Sequence, residues 1–355
     1  MIKGSEHILI VKLSSIGDVV HTIPFVEVLK SNYPEIKIDW CMDRQVYSIV
    51  EDNPGINRII ISNRKEWKRD LAYPSRWHWI TKDIRHFVKE LHKYRYDMVI
   101  DLQGLLKSAI ITAICEADRK IGLDGAREFA WLFVKETVSV NYDQHAIDRY
   151  LQVAEYLGCS SLDWRWKLHI SDREKQKMDE LISEINHNKL PIVAINPCSR
   201  WKTKLWPVKR FSELTRRLLE MGVKPLFLGG IRDRRLIGRI LNGLEDGLEG
   251  AVNLAGLLSL KQIAYLYSRS NAVVSVDTGP MHIAVMAGAK VVALFGPTDP
   301  KRTGPYGEGH EIIRADLPCS PCLKKECAHV SCMKEIKVDK VLDSVIKILD
   351  QEMIR

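Results

Sequence analysis

No apolar run in this chain approaches the roughly 20 residues that a membrane-spanning helix needs, so a helical integral membrane protein is set aside. No apolar leader with a small-residue cleavage site stands at the start either. The opening, MIKGSEHILIVKLSS, passes into a strand pattern almost at once, and the expectation is a cytoplasmic protein. Cysteine is sparse: eight in 355 residues do not make a secreted disulfide scaffold, and Cys41, Cys115, Cys159 and Cys198 stand singly, as buried thiols do. No internal repeat or low-complexity tract is evident, which removes solenoid architectures.

What is present fits a soluble globular chain, with 46% hydrophobic and 28% charged residues and a length that suits two domains better than one core. The formal charge of +8 is concentrated. Between Arg58 and Arg95 there are eleven Lys or Arg against four Asp or Glu, 11 − 4 = +7. Trp67, Trp77 and Trp79 are interleaved with these charges. That mixture suits an anionic nucleic acid or an anionic membrane surface, and it equally suits a solvated helix face whose tryptophans pack inward.

Short apolar runs alternate with helical patterns along the whole chain. Strands are expected at Ile8–Leu13, Ile36–Trp40, Arg58–Ile61 and Asp97–Leu102, then at Ile192–Asn196, Lys224–Gly229, Val252–Leu254, Ala272–Val276 and Val291–Phe295. Helices are expected at about 18–30, 81–92, 172–186, 208–221, 260–269 and 338–353. This is an α/β rhythm. The weakly patterned stretch between Ser160 and Ser171 holds the junction, giving an N-terminal domain over 1–170 and a C-terminal domain over 171–355. Two facing α/β domains with a cleft between them are the expected architecture.

Polar clusters follow the strands. Ser14, Ser15, Gly17 and Asp18 follow the first, and Gln103, Gly104, Lys107 and Ser108 follow the fourth. The fullest cluster lies in NAVVSVDTGPMHIAVMAGAKVVALFGPTDP, where Asp277, Thr278 and Gly279 end a strand, Pro280 opens a helix that carries His282, and GPTDP follows the next strand. Amides at a helix start favour an anion, and in open parallel sheets ligands bind at the carboxyl ends of strands, so a phosphate-bearing ligand is expected there. The competing reading is simple helix capping by Asp277 and Thr278.

Taken together, VKLSSIGDVVHTIP, DLQGLLKSA, KLWP, SVDTGPMHIA and FGPTDP resemble glycosyltransferase family 9, and within it the lipopolysaccharide heptosyltransferases of the heptosyltransferase I type. The motifs span nearly the whole chain, and their joint order carries the resemblance. It implies a GT-B fold of two Rossmann-like domains, with ADP-heptose held mainly by the C-terminal domain and a Kdo-containing lipid A acceptor by the N-terminal one. It also implies inversion at the sugar carbon without a catalytic metal, at the inner face of the cytoplasmic membrane.

Residue by residue, the resemblance makes Asp18 the general base, with helix capping as its alternative and Asp101 the next carboxylate to consider. It makes Lys204 the phosphate-binding lysine, with Ser199 and Thr203 nearby, and Asp277, Thr278, Gly279 and His282 the nucleotide signature. Relatives carry an acidic residue for the ribose hydroxyls just after GG, at Gly229 and Gly230. Here Asp233 is the only acid nearby, among Arg232, Arg234 and Arg235, so this chain departs from the pattern. Arg64, Lys65, Lys68 and Arg127 resemble acceptor-side cations, and Lys107 and Ser108 stand where either sugar is in reach. Cations suit an acceptor bearing carboxylates and phosphates.

Four cysteines remain. Cys319, Cys322, Cys327 and Cys332 are spaced C-x2-C-x4-C-x4-C, which suits a structural zinc site and equally a reduced, metal-free loop; neither reading is catalytic. Rival functions are a later-acting family 9 transferase, a GT-B nucleotide-sugar epimerase that needs no acceptor, and a basic, membrane-bound nucleotide sensor without turnover.

Overall fold

The computed structural model describes residues 2, 4–165, 169–244 and 250–353. The chain divides into two compact units, Met1–Arg165 and Trp166–Arg355. The first unit holds strands β1 (His7–Val11), β2 (Lys37–Asp43), β3 (Arg58–Ser62), β4 (Tyr96–Asp101), β5 (Ala117–Leu123) and β6 (Glu136–Val138). The second holds β7 (Ile192–Asn196), β8 (Lys224–Phe227), β9 (Val252–Asn253), β10 (Ala272–Val276), β11 (Val291–Phe295) and β12 (Glu311–Arg314).

Both sheets are parallel throughout, ordered β3-β2-β1-β4-β5-β6 and β12-β11-β10-β7-β8-β9. Counted from its own first strand, each reads 3-2-1-4-5-6, the dinucleotide-binding order. The order reverses between β1 and β4 in one unit and between β7 and β10 in the other. Loops leaving those strands at their carboxyl ends diverge there and open a crevice.

The central strands are apolar runs because helices cover both faces: β7, β10 and β11 are buried at every residue. In the first unit Leu9, Val11, Val99, Phe87, Leu91 and Ile111 share one core, which joins helices Trp77–Leu91 and Leu106–Ile114 to the same face of the sheet. In the second, Phe211, Leu214 and Leu218 of helix Val208–Glu220 meet Val341, Val345 and Ile348 of helix Val338–Met353 over Val193, Val274 and Val292. Pro24 lies inside helix Ile16–Asn32, where the missing N–H leaves the Val20 carbonyl without its usual donor. Strands β5, β6 and β12 and helices Arg64–Asp70 and Leu106–Ile114 add to the elements that the sequence pattern picks out.

Candidate active site

In the first unit the crevice is built on a buried lysine. The apolar run ILIVKL carries Lys12 directly after β1, and its Nζ donates to the Leu102 carbonyl (2.6 Å) and the Tyr150 hydroxyl (2.6 Å). Burial opposes its charge, but Tyr150, Asp18 and Asp101 outweigh that and hold the ammonium above its ordinary pKa. A fixed positive charge therefore sits beneath the switch point. Above it, the Ser14 amide donates to Gln103 Oε1 (3.1 Å) and Lys107 Nζ donates to Ser14 Oγ (3.0 Å), so the loops after β1 and β4 are joined.

Asp18 is half-buried in the first turn of helix Ile16–Asn32. Its Oδ2 accepts from the Ser15 amide (2.7 Å) and the Ser15 hydroxyl (2.9 Å), a capping-box contact. The carboxylate thus caps the helix and stands at the crevice at once, beside Ser14 and the positive charge of Lys12.

The cations gather unevenly. Arg64 makes a two-pronged pair with buried Asp43, Nε to Oδ1 and Nη2 to Oδ2, both 2.8 Å, and Lys65 Nζ lies 3.2 Å from Asp43 Oδ2. Arg64 Nη2 also stands 3.5 Å from Ser14 Oγ. Burial, followed by the nearby Arg64 charge, pushes Lys107 below its ordinary pKa, while Asp43 and Asp18 pull the other way. Arg64, Lys65 and Lys107 are therefore brought together around Ser14. Lys68 and Arg127 are exposed, Lys68 on helix Arg64–Asp70 and Arg127 on the loop after β5, whose amide donates to the Gly104 carbonyl (2.9 Å).

Two residues named from the sequence are turned inward. Asp101 is buried, its carboxylate accepting from the amides of Gln103 and Gly104 (2.8 and 3.0 Å) and from Ser108 Oγ (2.9 Å). Burial pushes the Asp101 carboxyl above its ordinary pKa against those hydrogen bonds. Ser108 is likewise buried. This pair shapes the loop.

In the second unit β10 ends at Val276 and Asp277 follows it directly, and helix Gly279–Met286 starts after Thr278. Asp277 is buried; Lys204 Nζ donates to its Oδ2 (2.6 Å), and the Thr298 hydroxyl of the GPTDP loop donates to the same oxygen. Lys204 also lies over the Trp201 ring, 4.6 Å from its centre. Three segments, the loops after β7, β10 and β11, thus converge on one carboxylate beside a helix start. Together they present amides and a lysine suited to an anion.

The remaining residues take separate places. His282 is buried on that helix, and Ser199 Oγ accepts from the Trp201 amide (3.4 Å). Thr203 is buried and donates to the Lys324 carbonyl (2.9 Å). Asp233 Oδ2 accepts from the Gly230 amide (2.8 Å), the turn where a ribose contact is expected. The surface pocket lined by Asn186, Leu190, Ile192 and Asn271 opens at the opposite edge of this sheet, away from all of these groups.

The cysteine loop is docked onto the loop after β11. Ser320 Oγ donates to the Gly296 carbonyl (2.6 Å), and the amides of Cys322 and Leu323 donate to the Pro297 carbonyl (3.1 and 2.8 Å). Cys319, Cys322, Cys327 and Cys332 are free thiols. Among the described residues no group of three or more His, Cys, Asp or Glu side chains is arranged to hold a metal ion. Hydrogen bonds from the Val330 and His329 amides hold the exposed Cys327 thiol below its ordinary pKa, whereas burial raises that of Cys332.

Lys12, Tyr150 and Thr298 are polar groups that motif reading does not single out. The one local signal was a lysine inside an otherwise apolar strand run.

Comparison with known proteins agrees with this geometry. Residues 84–332 match the model of glycosyltransferase family 9 (heptosyltransferase). The chain is 33% identical over 327 residues to lipopolysaccharide heptosyltransferase 1 of Pseudomonas aeruginosa, covering 91% of this chain and 87% of that protein. Among solved structures it is similar to a family 9 glycosyltransferase from Veillonella parvula (22% identity, TM-score 0.81, 99% of each chain). It is also similar to the Escherichia coli heptosyltransferase WaaC with ADP (25% identity, TM-score 0.76, 96% of this chain and 99% of that one).

Proposed function

The chain belongs to glycosyltransferase family 9, the heptosyltransferase family, and on that premise we propose that it moves heptose from ADP-heptose to the Kdo-containing inner core of a lipid A acceptor. It is a glycosyltransferase with the GT-B fold, two parallel six-stranded α/β units. The observation that carries the donor half of the reading is the convergence of Lys204, Thr298 and the start of helix Gly279–Met286 on Asp277.

In the proposed reaction the diphosphate of ADP lies at that helix start, where amides and Lys204 take up the charge that develops as the bond from the sugar carbon to the phosphate oxygen breaks. On the acceptor side Asp18 takes the proton from the attacking hydroxyl as its oxygen bonds to the same carbon, which inverts the centre. The fixed orientation of Asp18 by Ser15 supports this role, since the amide and hydroxyl of Ser15 hold the carboxylate in place, and the Lys12 ammonium lies near enough to interact with its charge. Arg64, Lys65 and Lys107 around Ser14 suit acceptor carboxylates and phosphates, with Lys68 and Arg127 at the margin. The sugar-transfer step as written needs no metal. The +7 segment supports a peripheral, cytoplasmic association with an anionic membrane.

The test is a pair of variants. Lys204→Ala should weaken ADP-heptose binding about tenfold or more by calorimetry, the worth of one charge-assisted contact. Asp18→Asn should lower acceptor-dependent turnover by about 10²–10⁴ with donor affinity nearly unchanged. Unchanged donor affinity in the first variant would put the nucleotide elsewhere, and donor consumption without acceptor would favour an epimerase.

A further inference from the structure

The first unit leaves two sets of large apolar side chains in water. Every residue from 71 to 79 is exposed, Leu71, Tyr73, Trp77 and Trp79 among them. The second set was not apparent from the sequence pattern. Leu106, Ile110 and Ile114 recur at four-residue intervals along the outer face of helix Leu106–Ile114, while Ala109, Ile111 and Thr112 of its inner face are buried. The short helix Ala130–Phe133 packs against this helix, and its N-cap Phe129 and its own Trp131 and Leu132 are 71%, 53% and 61% exposed. The Leu106 amide donates to Glu128 Oε2 (3.2 Å), so both pieces form one surface.

Topology places the first set and, of the second, Leu106 and residues 129–132 at one edge, while Ile110 and Ile114 continue down the flank of the sheet, because helix Leu106–Ile114 runs back towards the start of β5. In a parallel sheet every strand ends on the same side, so the loops after β3, β1, β4 and β5 emerge together, in that spatial order. The first set follows β3 and the second follows β4 and β5. The Ser14 centre lies between them and is contacted by Arg64 from one side and Lys107 from the other.

We infer that the first unit docks edge-on to an anionic lipid bilayer, with the 71–79 rim and the Leu106–Leu132 rim straddling the Ser14 centre so that an anionic headgroup rising from the surface enters between them. The choice of occupant follows from the chemistry of the rims. Indole and phenol rings beside exposed Lys68, Arg69, Arg76, Lys82 and Arg85 match the headgroup zone of an anionic bilayer, and the only acid among residues 67–82, Asp70, is buried and paired with Arg69 and Arg76. The second rim is near neutral, with Arg127 and Lys135 beside Glu128, and suits insertion below the headgroups. The inference rests on the proposed lipid acceptor and deepens it by naming the surface that meets the lipid.

The test uses the full chain and vesicles of phosphatidylcholine containing phosphatidylglycerol, read by co-sedimentation. Wild type should bind at low salt. Trp77→Ser/Trp79→Ser and Phe129→Ser/Trp131→Ser/Leu132→Ser should each lower the partition coefficient about tenfold or more, since each removes several buried apolar groups from the interface. All these positions are exposed, so thermal melting should stay at the wild-type value, and brominated lipid should quench wild-type tryptophan fluorescence independently of any variant. With a deacylated, water-soluble Kdo acceptor both variants should turn over normally, and only with acceptor embedded in vesicles should they fail. Wild type remaining in the supernatant, or vesicle binding abolished by salt but untouched by either rim variant, overturns the inference. A dimer in sedimentation velocity that the second rim variant dissolves overturns it in favour of self-association. Absence of turnover on both acceptors by wild type would refute the functional reading and leave the vesicle result to stand by itself.

Discussion

Asp277→Asn isolates the electrostatics of the proposed donor site. Asp277 and Lys204 are 5% and 14% exposed and 2.6 Å apart, so neutralising the carboxylate leaves an ammonium with little water and no counter-charge. Breaking a buried pair in this way costs about 3–5 kcal/mol when both charges are fully enclosed. Lys204 keeps some water and the face of Trp201, which places the expected loss nearer 2–3 kcal/mol. For a unit of this size that is a fall of roughly 4–12 °C in melting temperature. Asparagine retains the acceptor for Thr298, so the loss reports the charge. Adding Lys204→Met to Asp277→Asn removes the stranded ammonium and should restore at least half of the fall. Calorimetric scans of wild type, both single variants and the double variant close the cycle. An Asp277→Asn protein that melts like wild type, or a double variant that loses the sum of both singles, would refute the reasoning.

Further outcomes are expected elsewhere. Lys12→Met should leave the Leu102 carbonyl and Tyr150 hydroxyl without their donor and lower stability by about 1–3 kcal/mol in denaturant titration, with turnover falling further than stability if the charge also holds Asp18. Burial depresses His310 to about 4, so the unfolded chain binds the extra proton between roughly pH 6.5 and 4. Stability should therefore be full above pH 6.5 and decline as pH falls towards 4, by no more than about 2–3 kcal/mol given partial solvent access, and His310→Asn should flatten that slope. Iodoacetamide on the native protein should label Cys327 first, then Cys319, Cys322 and Cys332, and spare Cys41, Cys115, Cys159 and Cys198, whose thiols burial keeps protonated. Metal analysis of protein prepared without chelator decides the loop: about one zinc per chain with all four loop thiols protected, or no metal and four reactive thiols.

The central strands were legible because burial on both faces demands unbroken apolar runs. Strands β7, β10 and β11 fall at the residues the pattern marks. Strands β5 (ADRKIGL) and β12 (EIIR) were not, because at or near a sheet edge a strand keeps charged side chains in water and loses that signature. The polar turns were legible as turns, and their partnerships were not. Lys204 meets Asp277 across 73 residues and Lys12 meets Tyr150 across 138, contacts set by strand order and invisible to local spacing. Thr298 lies within a motif that stands out as a whole, yet only the convergence of three loops singles out its hydroxyl. The apolar face of helix Leu106–Ile114 was hidden for a related reason: LKSAIITAI is apolar on both faces, and sequence alone does not say which is covered.

The central claim, sugar transfer from ADP-heptose to an inner-core lipid, is tested most directly by mass spectrometry of the acceptor after incubation with this protein. The acceptors are lipid A bearing Kdo, the same lipid without Kdo, and the lipid already carrying one heptose. The account predicts a gain of one heptosyl unit on the Kdo-bearing lipid alone, with stoichiometric release of ADP and none with Asp18→Asn on the same timescale. A heptosyl gain only on the lipid that already carries heptose would move the enzyme to a later step, and ADP-heptose left intact with every acceptor would contradict the account.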